Sequence, residues 1–257
     1  MKRVLVLLFL ALLCAGPARS DWSEPEPEFV YARVQLSNRG GWWNIWRDAE
    51  HGLDNPPWHH DYPFADELFV GLLHELTGVR VSPKSYKIVR LDSPEVFNYP
   101  FLYLSEPGFL DLNPKEIDNL GQYIRRGGFI VADDFRGAGY VTNVEELEVL
   151  RHYLKLAVPE RELVRLDATS PVFHSFYNVD SLKMKPPYDI IDHRRDVHLM
   201  PEFWGMFDEH GRLQLVANYN NDLGDFWKYL DKGEEPLQES TRSIRIGINY
   251  VMYALTH

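Results

Sequence analysis

Apolar positions along the chain change their spacing several times, and each change predicts an element. Phe29-Val30-Tyr31-Ala32-Arg33-Val34-Gln35-Leu36 is dense in β-formers and predicts a first strand. From Phe64 the spacing shifts to four. Phe64, Leu68, Leu72 and Leu76, with Phe69 and Leu73 beside them, predict a helix over 63–77, with Pro63 in its first turn and Gly78 beyond its end. Tyr86 to Leu91 and Phe101 to Ser105 read as two further strands, the latter ending at Glu106-Pro107-Gly108. Asn113-Pro114-Lys115-Glu116 combines a cap, a proline at the first position and an acid three residues after the cap, so a helix starts there. Its apolar face is Ile117, Leu120 and Ile124, and it stops at Gly127. Gly128 leads into the buried run Phe129 to Ala132, which ends on Asp133-Asp134-Phe135. Strand, capped helix and strand make a βαβ unit. Asn143 and Glu146 open a helix carrying Leu147, Leu150 and Leu154, which ends before Pro159. Residues 162–185 read as mostly irregular. Trp204 to Phe207 and Leu213 to Tyr219 flank Asp208-Glu209-His210-Gly211, a hairpin pattern, and Asn218 to Trp227 is a dense polar turn. Ile244, Ile248, Val251, Met252 and Leu255 place a final helix. The sum is one α/β domain with a largely parallel sheet and helices on both faces.

The first twenty residues do not belong to that pattern. Met1-Lys2-Arg3, the apolar run Val4 to Ala15 and Ala18-Arg19-Ser20 predict a secretory signal peptide over 1–20, too short to be a good span, with the α/β domain over 21–257. The expected destination is the periplasm or the outside of the cell. Loss of Lys2, Arg3 and Arg19 takes the formal charge from −11 to −14. An acidic surface repels phosphates and anionic membranes, so nucleic acid is not an expected partner, and no later apolar run is long enough to cross a bilayer. The single cysteine, Cys14, lies inside the leader, so stability after export must come from a core rather than disulfides.

Candidate chemistry gathers in a few places. Asp133 and Asp134 end a buried strand, and ligands of open α/β sheets bind beyond the carboxyl ends of strands. Either acid can serve as a base or a ligand holder. Equally, one can cap a turn and the other pair with Arg136. Trp58, His59, His60 and Asp61 lie in a long loop with Trp42, Trp43 and Trp46. Aromatic rings beside Asp and Asn suit sugars, and they equally suit closure of a core. Three consecutive residues do not match a metal-ligand spacing, so no metal is assigned, and the simpler reading of Asp61 is a helix cap. His174, among aromatics in Phe173-His174-Ser175-Phe176-Tyr177, reads as a core histidine or a base. Asn220 and Asp222 follow a strand, but their order does not fit a calcium loop, and turn-making hydrogen bonds explain them more simply.

Five blocks together are familiar. Trp58-His59-His60-Asp61-Tyr62-Pro63, Tyr99-Pro100-Phe101-Leu102-Tyr103, Gly127-Gly128-Phe129 with Asp133-Asp134-Phe135, Phe173-His174-Ser175-Phe176-Tyr177, and Gly247-Ile248-Asn249-Tyr250 with Tyr253-Ala254-Leu255-Thr256-His257 resemble the bacterial DUF4159 family, whose function is unknown. The resemblance implies a flavodoxin-like three-layer sandwich similar to class I glutamine amidotransferases. In those enzymes the matching strand leads to a cysteine nucleophile. Here it ends in Asp133-Asp134, so thiol chemistry is excluded, while Glu106-Pro107-Gly108 falls where an oxyanion turn would be. Two functions follow as expectations. One is a noncatalytic domain binding a polar ligand, such as a carbohydrate, or a partner protein, at Trp58 to Asp61, Glu106, Gly108, Asn220 and Asp222. The other is a hydrolase using Asp133 or Asp134 with His60 or His174, with or without a metal to assist. No phosphate loop, dinucleotide fingerprint or Gly-x-Ser-x-Gly elbow points to a cofactor or a sharper class.

Overall fold

The computed structural model describes residues 28–36, 56–81, 86–137, 145–187, 200–233 and 235–257. The predicted leader, Trp42, Trp43, Trp46 and the helix start at Asn143 lie outside them.

Seven strands form one sheet in the order β2-β1-β3-β4-β7-β6-β5. They are β1 (Tyr31–Gln35), β2 (Tyr86–Arg90), β3 (Phe101–Ser105), β4 (Phe129–Phe135), β5 (Leu163–Arg165), β6 (Glu202–Phe207) and β7 (Leu213–Tyr219). β2, β1, β3, β4 and β7 run parallel, and the β5, β6 edge is antiparallel. Alternation along the central strands sends side chains to two cores. Phe101 and Tyr103 of β3 and Phe129 and Val131 of β4 enter one; Leu102, Leu104, Ile130 and Ala132 enter the other. Helices α1 (Phe64–Leu76), α4 (Leu223–Lys228) and α5 (Leu237–Thr256) cover the first face, and α2 (Pro114–Arg125) and α3 (Glu146–Ala157) cover the second. This is an α/β arrangement consistent with three layers.

Local chemistry explains most boundaries. The Asn113 side chain accepts from Lys115 and Glu116 amides while Glu116 reaches back to the Asn113 amide, the reciprocal cap read from sequence. Gly127 takes φ 90°, a conformation that ends α2 without a Cβ penalty. Four expectations change. Pro63 is the cap of α1 rather than part of its first turn. Residues 163–165 pair with β6 and so are not irregular. The polar turn after β7 contains α4, whose Phe226 and Trp227 are buried, with Trp227 stacked on Phe69 at 4.3 Å. That contact with α1 overrides local propensity. The last helix begins at Leu237, ahead of its apolar stripe.

Between β1 and β3 the chain reverses its direction of travel across the sheet, having gone outward to β2 first. Such a switch point opens a crevice at the carboxyl ends of the strands. The loop before α1, the end of β3, the end of β4 and the turn after β7 all meet near it.

Candidate functional site

Arg33 sets the first wall. It lies in the apolar pattern of β1, fully buried, and grips Asp66 of α1 with Nε at 3.0 and 3.1 Å and Nη2 at 2.6 Å. Its Nη1 donates to the carbonyls of Trp58, at 3.2 Å, and His60, at 3.0 Å. The planar fork thus joins sheet, helix and loop, and fixes the backbone that carries His60 and Asp61. Trp58 is buried in the core, so its indole is no exposed sugar platform. His59 packs its ring against Trp58 and Tyr62.

β4 supplies the floor, and its two acids do different work. Asp133 accepts from Tyr103 Oη (2.6 Å), Asn218 Nδ2 (2.8 Å), and the Leu223 (2.9 Å) and Gly224 (3.2 Å) amides. It holds the start of α4, and burial pushes its carboxyl up to about 7 against the Tyr103 and Asn218 hydrogen bonds. With four donors on it, Asp133 is a structural group and not the base expected from sequence. Asp134 faces the other way, in the left-handed region at φ 59°. Its Oδ2 lies 2.7 Å from His60 Nδ1 and its Oδ1 accepts from Arg136 at 3.1 Å. Burial opposes its charge, but His60 and Arg136 outweigh burial and hold Asp134 well below the ordinary carboxylate range.

His60 Nδ1 is shared, since Asp61 Oδ2 lies 3.5 Å away. Burial disfavours the imidazolium, yet Asp61 and Asp134 together raise His60 well above its usual value. Its side chain is 40% exposed, against 1% for Asp134 and 2% for Asp61, so it forms the mouth of the cluster. The Asp61 side chain does not cap α1, whose first turn takes only the Asp61 carbonyl, from the Ala65 amide. It turns inward, with Lys228 Nζ 3.3 Å from its Oδ1.

The turn after β7 closes the ring. Asp222 caps α4, its Oδ1 accepting from the Asp225 amide at 2.9 Å, and its buried Oδ2 has no hydrogen-bond partner. Burial, then the charges of Asp134, Asp225 and Asp61, raise Asp222 well above the carboxylate range. Asp225 is pushed up to about 8, by burial and then by Asp61. A Cβ on Gly224 would stand 2.8 Å from Asp61 Oδ2 and 3.3 Å from Asp222 Oδ1, so only glycine lets the acids approach here. Asn220 accepts the Gly137 amide at 2.9 Å and serves the turn rather than the cluster.

One ligating atom from each of His60, Asp61, Asp134 and Asp222 falls within 4.8 Å of the others. Each of the four was singled out from sequence, but their grouping was not, because apart from the adjacent pair they lie at least 73 residues apart. Asp61, Glu106, Asp134 and Asn220 are also the described non-glycine residues with positive φ, at 63°, 55°, 59° and 54°. Left-handed side chains gathered at one end of the sheet persist only where packing holds them, which makes this end the candidate site.

Other expectations divide. Glu106 is buried beside Asp134; burial first, then the Asp134 charge, raises it well above its usual range, and it hydrogen-bonds Asp134. Gly108 lies under Glu146, whose Cγ would be 2.5 Å from a Cβ there. The Phe109 amide bonds the Glu106 carbonyl, the Glu106 amide bonds the Asp133 carbonyl and Pro107 has no N–H, which leaves the Gly108 amide as the donor such a turn would offer. His174 is not brought to the acids, because its ring nitrogens meet the Ala168 carbonyl at 2.6 Å and Asn178 Oδ1 at 3.3 Å.

No curated protein matches the chain. Residues 48–255 match the model of a domain of unknown function, DUF4159, a span that includes His60, Asp61, Asp134 and Asp222 but not Arg33. The chain therefore belongs to the DUF4159 family.

Proposed function

We propose that this is an exported, noncatalytic binding domain, flavodoxin-like and akin to class I glutamine amidotransferases in layout, which takes a polar ligand at His60, Asp61, Asp134 and Asp222. The leader pattern over 1–20 supports export to the periplasm or beyond. One observation carries the binding reading. Of the two acids that end β4, Asp133 is saturated by structural donors, whereas Asp134 joins Asp61 and Asp222 around a half-exposed histidine. Such a site rejects phosphates and carboxylates by charge and favours cations, ammonium groups or hydroxyl-rich molecules, carbohydrates among them.

The 2.7 Å contact between His60 and Asp134 favours a second reading, a hydrolase in which Asp134 orients His60 to move a proton. That version has no place for Asp133 or His174, and the single cysteine, Cys14, lies in the expected leader, so it involves no thiol step.

A thermal-shift panel of neutral sugars, polyamines and phosphorylated sugars, run in the presence of a chelator, tests the proposal. A neutral or cationic compound should raise the melting temperature of the wild type, by about 2.7 kcal/mol of stability at a hundredfold excess over Kd. Asp134→Asn should fold normally and lose that shift. Stabilisation by phosphorylated sugars alone, or a shift that survives Asp134→Asn, would refute it. Turnover of a glycoside or ester that disappears with His60→Gln would replace it with the hydrolase.

A further inference from the structure

We propose that Asp61, Asp134, Asp222 and His60 hold one divalent cation, with Mn²⁺ or Zn²⁺ preferred over Mg²⁺ and Ca²⁺. This deepens the binding reading above and rests on it, naming a cation as a ligand of the same cluster.

Clustered acids alone would not carry this. The independent observation is the Asp222 carboxylate, fully buried, with Oδ2 lacking any hydrogen-bond partner. Asp61 Oδ1 is also buried without a hydrogen bond, facing only the Lys228 ammonium. Buried carboxylate oxygens are costly unless something positive meets them, and the ion pair of Lys228 is with Asp61, not with Asp222.

The spacing suits an ion. Ligands about 2.1 Å from a metal lie roughly 3.0 Å apart when adjacent and roughly 4.2 Å apart when opposite. His60 Nδ1 is 2.7 Å from Asp134 Oδ2 and 3.5 Å from Asp61 Oδ2, and the whole set lies within 4.8 Å, so an ion entering in place of the His60–Asp134 proton needs shifts of only about half an ångström. Outer partners already orient two of the acids: Arg136 takes Asp134 Oδ1 and the Asp225 amide takes Asp222 Oδ1, which leaves each Oδ2 to ligate. Charge also favours a cation, because the three carboxylates, with Asp225 and Glu106 beside them, outnumber Lys228 and Arg136. Imidazole among carboxylates selects the borderline ions, whereas an all-oxygen set would favour Mg²⁺ or Ca²⁺.

The test is calorimetric titration of the full chain, stripped with chelator, with MnCl₂, ZnCl₂, MgCl₂ and CaCl₂ separately. The expected result is one site per chain for Mn²⁺ or Zn²⁺, weakened at least tenfold by Asp222→Asn and by His60→Gln; loss of outer partners alone typically costs about 10- to 100-fold. Asp222→Asn keeps Oδ1 for the α4 cap, and His60 is half-exposed, so circular dichroism should show both variants folded. His174→Gln controls for stray histidine binding and should leave the titration unchanged. Absence of a stoichiometric site, or affinity that falls less than tenfold in either folded variant, would overturn the cation site. The polar-ligand panel, run under chelator, would still stand or fall separately.

Discussion

Asp133→Ala should destabilise the fold severely while Asp133→Asn should not, and the difference follows from four hydrogen bonds. Removing the carboxylate leaves the Leu223 and Gly224 amides, the Asn218 amide and the Tyr103 hydroxyl without their acceptor in a site where Asp133 is fully buried. A buried donor left unpaired costs about 1–3 kcal/mol. The Tyr103 hydroxyl can rotate, so the three N–H groups dominate, and the loss should reach about 4–6 kcal/mol, much of a typical domain's stability. An asparagine at 133 can present its carbonyl oxygen to the Oδ2 side, where three of the donors converge. Its NH₂ would then face Asn218, whose amide can flip, because the Tyr250 hydroxyl now donating to Asn218 Oδ1 at 2.7 Å can turn and accept instead. We expect about 1–2 kcal/mol for Asp133→Asn. Urea unfolding checks both, through a lowered midpoint at unchanged slope. An Asp133→Ala variant within about 1 kcal/mol of wild type would show that Asp133 does not anchor α4, and would return it to the list of candidate bases.

Two further outcomes follow from the frame around the cluster. Arg33→Met should cost about 3–5 kcal/mol by stranding the buried Asp66 charge; Arg33→Met with Asp66→Leu should regain most of that in a melt, but not ligand binding, since the Trp58 and His60 carbonyls still lack their donor. Gly224→Ala should cost about 1–3 kcal/mol through contact with Asp61 and Tyr103 and should abolish binding; unaltered titration would show that the acids do not need that approach.

Among the described elements, six of the seven strands, four of the five helices and the hairpin were legible because each has a local signal, a period or a cap; β5 has three residues and is defined only by its pairing with β6. α4 was not, since Asn220 to Asp225 reads as a turn and its helix depends on Asp133 and Phe69, 90 and more residues away. The same distinction runs through the site. Asp134 was visible because it ends an apolar run at a sheet edge. Asp222 was named as a candidate without the partners that now surround it, and Arg33 drew no attention inside a strand pattern because its partner Asp66 lies 33 residues away on α1. His174 misled for the opposite reason: aromatic neighbours and a familiar block drew attention to a histidine that serves its own turn. Spacing rules for metals assume ligands carried on one local motif, so they say nothing of a cluster in which Asp134 and Asp222 join His60 and Asp61 from distant parts of the chain.

Stability and geometry are coupled at this edge. Asp61, Glu106 and Asp134 hold left-handed backbone that side chains avoid, at a cost of order 1 kcal/mol or more each. Left alone, such residues would relax and the oxygens would spread apart. Each is pinned instead by something rigid: Arg33 grips the loop of Asp61, the Glu106 amide bonds the Asp133 carbonyl at 3.0 Å, and Asp134 sits between His60 and Arg136. The buried Arg33–Asp66 pair is costly to desolvate and would be a poor choice for stability alone. It makes sense as the device that keeps mutually repelling carboxylates close enough to share one positive partner.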